Sequence, residues 1–231
     1  MENAPAFPKR EQAPHPSVVN YTWSDVRAWE QQNKEYPHRA LARLLLDRTN
    51  NTGRTVVSVD TLHMGEKDIL VEDGIVASKI SDNILTAKGL GSCVFLAGFK
   101  GGKGFLVHHI PGSVMHGSYI KLFERYGITH GDRDIQLVVG GGLKNGDMGS
   151  RQSGSGRKAP IAAAQEHELH IIDVGMRSDG DAVNYESTSV AIDPRTALIV
   201  VVSAEAHSEE VKDVSISEIN QADVNRFSKV L

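Results

Sequence analysis

The chain has 231 residues, 40% of them apolar and 23% charged, which supplies an ordinary buried core without staples or metals. Its formal charge of −4 removes the electrostatic motive for a nucleic-acid or anionic-membrane partner, since such binders carry a basic stripe. One cysteine, Cys93, excludes an internal disulfide and suits a reducing cytoplasm; no apolar run is long enough for a membrane span, and the N-terminus lacks the apolar stretch of a Sec signal peptide.

Residues 1–22 carry Pro5, Pro8, Pro14 and Pro16 with little periodicity and read as an extended or disordered leader. Ser24 can cap a short helix through Trp29, and Pro37 can open a second over His38–Asp47, with Leu41, Leu44 and Leu45 on one face. After Asn50-Asn51-Thr52-Gly53 the pattern changes to strands. Arg54–Leu62 is rich in Val and Thr, and Asp68–Val71 and Ile75–Ser78 flank the hairpin signal Asp73-Gly74. Ile84–Ala87 precedes the glycine-rich run Lys88-Gly89-Leu90-Gly91-Ser92-Cys93, and Val94–Phe99 and Gly104–Ile110 form a hairpin around Lys100-Gly101-Gly102-Lys103. Ser118–Tyr126 reads as a helix stopped by Gly127.

Ile135–Val139 is a buried strand delivering the tight loop Gly140-Gly141-Gly142. Residues 143–158 read as a long loop, and Pro160–Leu169 as a helix with proline in its first turn. His170–Val174, Ser189–Ile192 and Ala197–Val202 complete the strands; from Glu209 a polar tail follows, with a short helix near Ile216–Phe227. Strands outnumber helices and do not alternate with them, so the class is α+β. Three parts are expected: a leader with a helical segment over 1–53, a core domain over 54–210, and a polar tail over 211–231.

Cys93 follows two glycines and a serine directly after an apolar strand, where a backbone bend exposes its amides. Such amides lower a thiol's pKa and can hold an oxyanion, which assigns that task to Gly91 and Ser92. A useful thiolate needs a base, and His108 and His109 are the nearest histidines in sequence. A two-residue turn at Lys100-Gly101 would set Cys93 opposite His108. A three-residue turn over Lys100–Gly102 would set it opposite His109, because one step of register flips the face. Spacing alone leaves both registers open.

The run Ile84-Leu85-Thr86-Ala87-Lys88-Gly89-Leu90-Gly91-Ser92-Cys93-Val94 resembles the Thr-x-Gly-Leu-Gly-Ser-Cys-Val signature of CheD, the chemoreceptor glutamine deamidases. Gly104-Phe105-Leu106-Val107-His108 with Pro111 is similar to that family's strand ending in its catalytic histidine. Gly140–Gly142 and Asp173-Val174-Gly175 sit where the family has a double glycine and an Asp-x-Gly-Gly turn. The likeness covers roughly residues 74–202. It implies a layered α/β sandwich of mixed and antiparallel sheets, akin to the catalytic domains of cytotoxic necrotizing factors and of a lethal-factor deamidase toxin. It also implies a site with Cys93 as nucleophile, His108 as base and Thr86 orienting the imidazole. Thr86 stands one residue further from the cysteine than in CheD, with Lys88 as the insertion.

The activity so implied is hydrolysis of a protein glutamine side chain to glutamate and ammonia, without metal or organic cofactor. The expected partner is a protein carrying the target glutamine, and the chain itself is expected to be a monomer. Chemoreceptor deamidation in a bacterial cytoplasm and a toxin or effector delivered into a target-cell cytosol both fit, and the leader leans toward the second. A catalytically silent binding module with the same fold is the alternative. Other signals carry less. His167-Glu168-Leu169-His170 lacks a third metal ligand and reads as a solvated helix end. Gly149–Gly154 lacks the Lys-Ser/Thr of a phosphate loop, and Asp179-Gly180-Asp181 lacks the rest of a calcium loop. Arg151, Arg157 and Lys158 read as a mobile basic edge able to grip an acidic protein surface.

Overall fold

The computed structural model of the chain describes residues 16–22, 54–59, 68–72, 75–90, 93–109, 116–142, 150–174, 188–203 and 212–214. The helices expected at Ser24–Trp29, His38–Asp47 and Ile216–Phe227 lie outside the described residues, as do Gly91 and Ser92. A first sheet orders its five strands β1 (Ser17–Thr22), β11 (Leu198–Ser203), β10 (Thr188–Asp193), β5 (Ile84–Leu90) and β2 (Val56–Ser58). A second sheet has seven strands. In order they are β12 (Lys212–Val214), β9 (Ile171–Asp173), β8 (Gln136–Gly141), β6 (Val94–Lys100), β7 (Lys103–His109), β4 (Ile75–Ser78) and β3 (Ile69–Glu72). Pairing is antiparallel except for β1 with β11, β2 with β5 and β8 with β9. With two helices, α1 (His116–Arg125) and α2 (Ser150–Glu166), the described chain is mixed α+β, as expected from its strand-rich pattern.

The burial pattern explains the layering. β6 is apolar on both faces: Phe95, Ala97 and Phe99 enter one buried cluster, and Val94 and Leu96 enter another. A central strand covered on both sides reads as such a continuous apolar run. The first cluster adds Leu85, Ala87, Val190, Ile192, Ile199 and Val201, so it fills the space between the two sheets. The second adds Tyr119, Leu122 and Phe123 of α1 and Ala163 and Ala164 of α2, so the helices cover the outer face of the seven-stranded sheet. The order of layers is sheet, sheet, helices. Among the described residues, no helix is long and apolar enough to cross a membrane.

Three segments depart from the sequence reading. Ser17–Thr22, expected within an extended or disordered leader, runs parallel to β11 as an edge strand. Its Val18 packs against the core between the sheets, and that burial is what orders it. Residues 150–158, expected in a loop, belong to α2, which begins ten residues before Pro160. Pro160 is buried and lies inside the helix, where it can donate no i→i−4 bond. Packing of Ala163 and Ala164 against the sheet outweighs the poor helix propensity of Gly154 and Gly156. In the expected tail, Lys212–Val214 pairs with β9 at the sheet edge.

The β6–β7 hairpin also adopts a register that neither expected turn provides. Lys100 faces Lys103, so the two-residue turn is Gly101-Gly102. Their φ angles of 56° and 74° are the left-handed pair a tight hairpin turn requires and that glycine alone supplies without strain. Phe95 therefore faces His108, and Val94 faces His109.

Candidate active site

Side chains two residues apart on a strand share a face. Cys93 stands two residues before Phe95, and Phe95 faces His108, so the thiol and the His108 imidazole lie on the same face, one pair out of direct opposition. Such diagonal neighbours are separated by roughly 7–8 Å at the backbone, within reach of an imidazole. That face looks into the space between the sheets, and Cys93 packs partly buried against its cluster. Cys93 is a free thiol of intermediate exposure, at the rim rather than sealed in the core.

His108 is nearly covered, at 5% exposure. Its Nδ1 lies 3.3 Å from the main-chain oxygen of Val59. A carbonyl can only accept, so Nδ1 carries the proton and donates it, and in the neutral ring Nε2 then holds the lone pair. The main chain of Val59 is itself anchored, because the N–H of the same residue donates to the Thr86 carbonyl at 2.7 Å. Val59 follows β2, which pairs in parallel with β5, and the sheet thereby delivers a rigid acceptor to the imidazole.

The Thr86 side chain is not brought to this point. Its neighbours Leu85 and Ala87 enter the core between the sheets, so strand alternation turns Thr86 to the opposite face of the five-stranded sheet. Thr86 is buried there, and its link to His108 runs through its carbonyl and the main chain of residue Val59. The group that meets His108 Nδ1 is a backbone oxygen, where a threonine hydroxyl was expected to orient the imidazole. No side-chain signal marks Val59 in the sequence; only the pairing of β2 with β5 reveals it.

His109 points to the helix face. Its Nδ1 is 2.8 Å from the Tyr119 hydroxyl, and the two rings meet edge to face with centroids 5.7 Å apart. Burial, helped by the charge of neighbouring His108, pushes its pKa down to about 4, so the ring is neutral near pH 7. Tyr119 is held protonated by complete burial, its pKa raised well above the ordinary range. His109 is thus a core residue of the helix layer.

The glycine run at the end of β8 closes the other flank. The Gly142 N–H donates to the Cys93 carbonyl at 2.9 Å. A Cβ at Gly141 would lie 2.8 Å from that same oxygen, and one at Gly140 would lie 2.8 Å from the Phe95 ring and 2.7 Å from Val174. Gly140 therefore receives the Phe95 ring. Arg157, expected on a mobile basic edge, is half-buried, with its Nε 3.6 Å from Asp173 Oδ2. Arg151 lies among residues whose side chains are not described, while Lys158 is exposed.

His167 packs edge-on against Phe123 at 5.6 Å, and among the described residues no group of three His, Cys, Asp or Glu could hold a metal. A cavity of about 200 Å³ lies at the turn end of β6–β7 beneath Phe99, Phe105 and Tyr126, at the far end of the strands from Cys93. No protein-family model matches the chain, and no curated protein matches it.

Proposed function

We propose that the protein is a cysteine-dependent amidohydrolase that converts a glutamine side chain of another protein to glutamate. The observation that carries this reading is the pairing of a rim-exposed Cys93 with His108 on one face, the imidazole holding its proton on Nδ1 against the Val59 carbonyl. The resemblance around Gly89–Val94 and Gly104–His108 supplies the substrate class.

In this mechanism His108 Nε2 takes the thiol proton, and the Cys93 thiolate attacks the amide carbon of the glutamine. Negative charge collects on the amide oxygen, a charge that the sequence reading assigns to the backbone N–H groups of Gly91 and Ser92. The imidazolium returns its proton to the departing nitrogen, ammonia leaves, and a thioester remains on Cys93. Water, deprotonated by His108, then hydrolyses the thioester to glutamate and free thiol. The Val59 carbonyl stabilises the imidazolium at each transfer by accepting the Nδ1–H.

The test is a peptide-resolved mass measurement on cell lysates treated with wild type or Cys93→Ser. Wild type is expected to raise the mass of particular glutamine peptides by about 1 Da, the amide-to-acid change, while the serine variant keeps its fold and raises none. A wild type that leaves every glutamine unchanged in lysates of all candidate target cells favours the silent binding module and sinks the enzymatic reading.

A further inference from the structure

Arg157 and Asp173 take no part in the acyl transfer set out above, yet they meet at the end of the seven-stranded sheet that carries Cys93. β8 and β9 run parallel, with Val139 in register with Asp173 at the end of β9, and β8 runs on to Gly141, which faces Val94 at the start of the antiparallel β6. From α2, Arg157 reaches Asp173, and its Nη1 makes a long contact of 3.4 Å to the Gly141 carbonyl.

The Gly141 carbonyl and the Gly142 N–H belong to one peptide group. Its oxygen faces the Arg157 guanidinium, and its N–H donates to the Cys93 carbonyl. Both flanking residues are glycines with φ of 94° and 96°, the left-handed region where a side chain would be strained. A peptide between two glycines can rotate end for end at little steric cost, and rotation here would turn its oxygen toward the Cys93 oxygen. A cation on the oxygen side favours the observed orientation, since charge-assisted contacts outweigh neutral ones.

The faces fit an indirect role. Ile171 belongs to the helix-side cluster and Ile172 to the core between the sheets, so alternation places Asp173 on the helix side. The thiol of Cys93 looks the other way, between the sheets. We propose that Arg157, steadied by Asp173, is a positioning residue that locks the Gly141–Gly142 peptide and through it holds the main chain of the nucleophile. This rests on the reading of Cys93 as the nucleophile.

The experiment uses the full chain and needs no substrate. Arg157→Met, Arg157→Lys and Asp173→Asn are compared with wild type by exchange of the Gly142 amide hydrogen and by the pH profile of Cys93 alkylation with iodoacetamide. In Arg157→Met the Gly142 amide is expected to exchange at least about tenfold faster, while slow core amides keep their rates. Alkylation near pH 7 is expected to fall about threefold or more, its inflection moving toward higher pH. Arg157→Lys keeps the charge without the planar fork and falls between the two. If Arg157→Met does not fold, Asp173→Asn decides with the same readouts. An activated wild-type profile that the variants leave untouched, with Gly142 exchange unchanged, overturns this inference alone. A wild-type thiol that titrates like a free cysteine, near pH 8.5, overturns the Cys93–His108 reading and this inference with it.

Discussion

His108 and His109 are adjacent in sequence and opposite in chemistry, because a strand sends successive side chains to different faces. His108 meets a backbone carbonyl on the face it shares with Cys93, whereas His109 meets a tyrosine in the helix layer. For His109 the folded pKa of about 4 lies below the ordinary 6.5, so below 6.5 the unfolded chain binds its proton first. The stability contributed by the neutral ring is complete above about pH 6.5 and is lost as pH falls toward 4, roughly 3 kcal/mol in all. Thermal melts across that window are expected to show a steep loss in wild type and a shallower one in His109→Gln. Equal slopes would show that His109 is not the group responsible. Cys93 and the His108-His109 pair were legible as candidate reacting groups because their chemistry resides in side chains. The choice between His108 and His109 was not, since it turned on which two residues make the hairpin turn. Gly101 and Gly102 are chosen because both must adopt positive φ.

At the scale of elements, the end of β8 shapes the candidate site by what it omits. Gly140 leaves room for the Phe95 ring, and Phe95 is the residue directly facing His108. Gly140→Ala would drive its Cβ into that ring and into Val174, an overpacking that costs about 1–3 kcal/mol. Displacement of the ring toward the imidazole is expected to depress Cys93 alkylation beyond what the loss of stability explains, measured as rate per folded molecule. An alkylation rate equal to that of wild type would mean that the ring yields elsewhere. Most strands were readable from β-branched runs, and the Ile69–Glu72 and Ile75–Ser78 hairpin followed from the two residues between them. β1 was not, because four prolines before it signal a leader and its order comes from distant β11. The first half of α2 was hidden by glycine and serine, whose local preference is overruled by the sheet beneath the helix.

Across the whole molecule, the end of β5 opposite the thiol is fastened by charge. Asp193 at the end of β10 is fully buried and accepts from Arg54 at 2.6 Å, from the Arg195 N–H and from the Thr196 hydroxyl at 3.0 Å each. Arg54 also donates to the Asp82 carbonyl, and Arg195 hydrogen-bonds the Asp82 carboxylate and holds its pKa below the usual value. β2, the start of β5 and the β10–β11 turn are thus tied at one knot. Asp193→Ala strands a covered guanidinium, and removing one partner of such a pair costs about 3–5 kcal/mol. Urea unfolding is expected to show that loss, with the reactivity of Cys93 in the remaining folded molecules unaltered. A change in that reactivity would show that the knot and the rim communicate.

The Val59 oxygen lies beyond the reach of ordinary genetics. Exchanging Val59 for any other amino acid alters a fully covered side chain and leaves the acceptor in place. A saturation library read for loss of the proposed activity would register position 59 as a packing site, its tolerance following side-chain volume. The proton-bearing nitrogen of the imidazole would keep its partner in every member of that library that still folds.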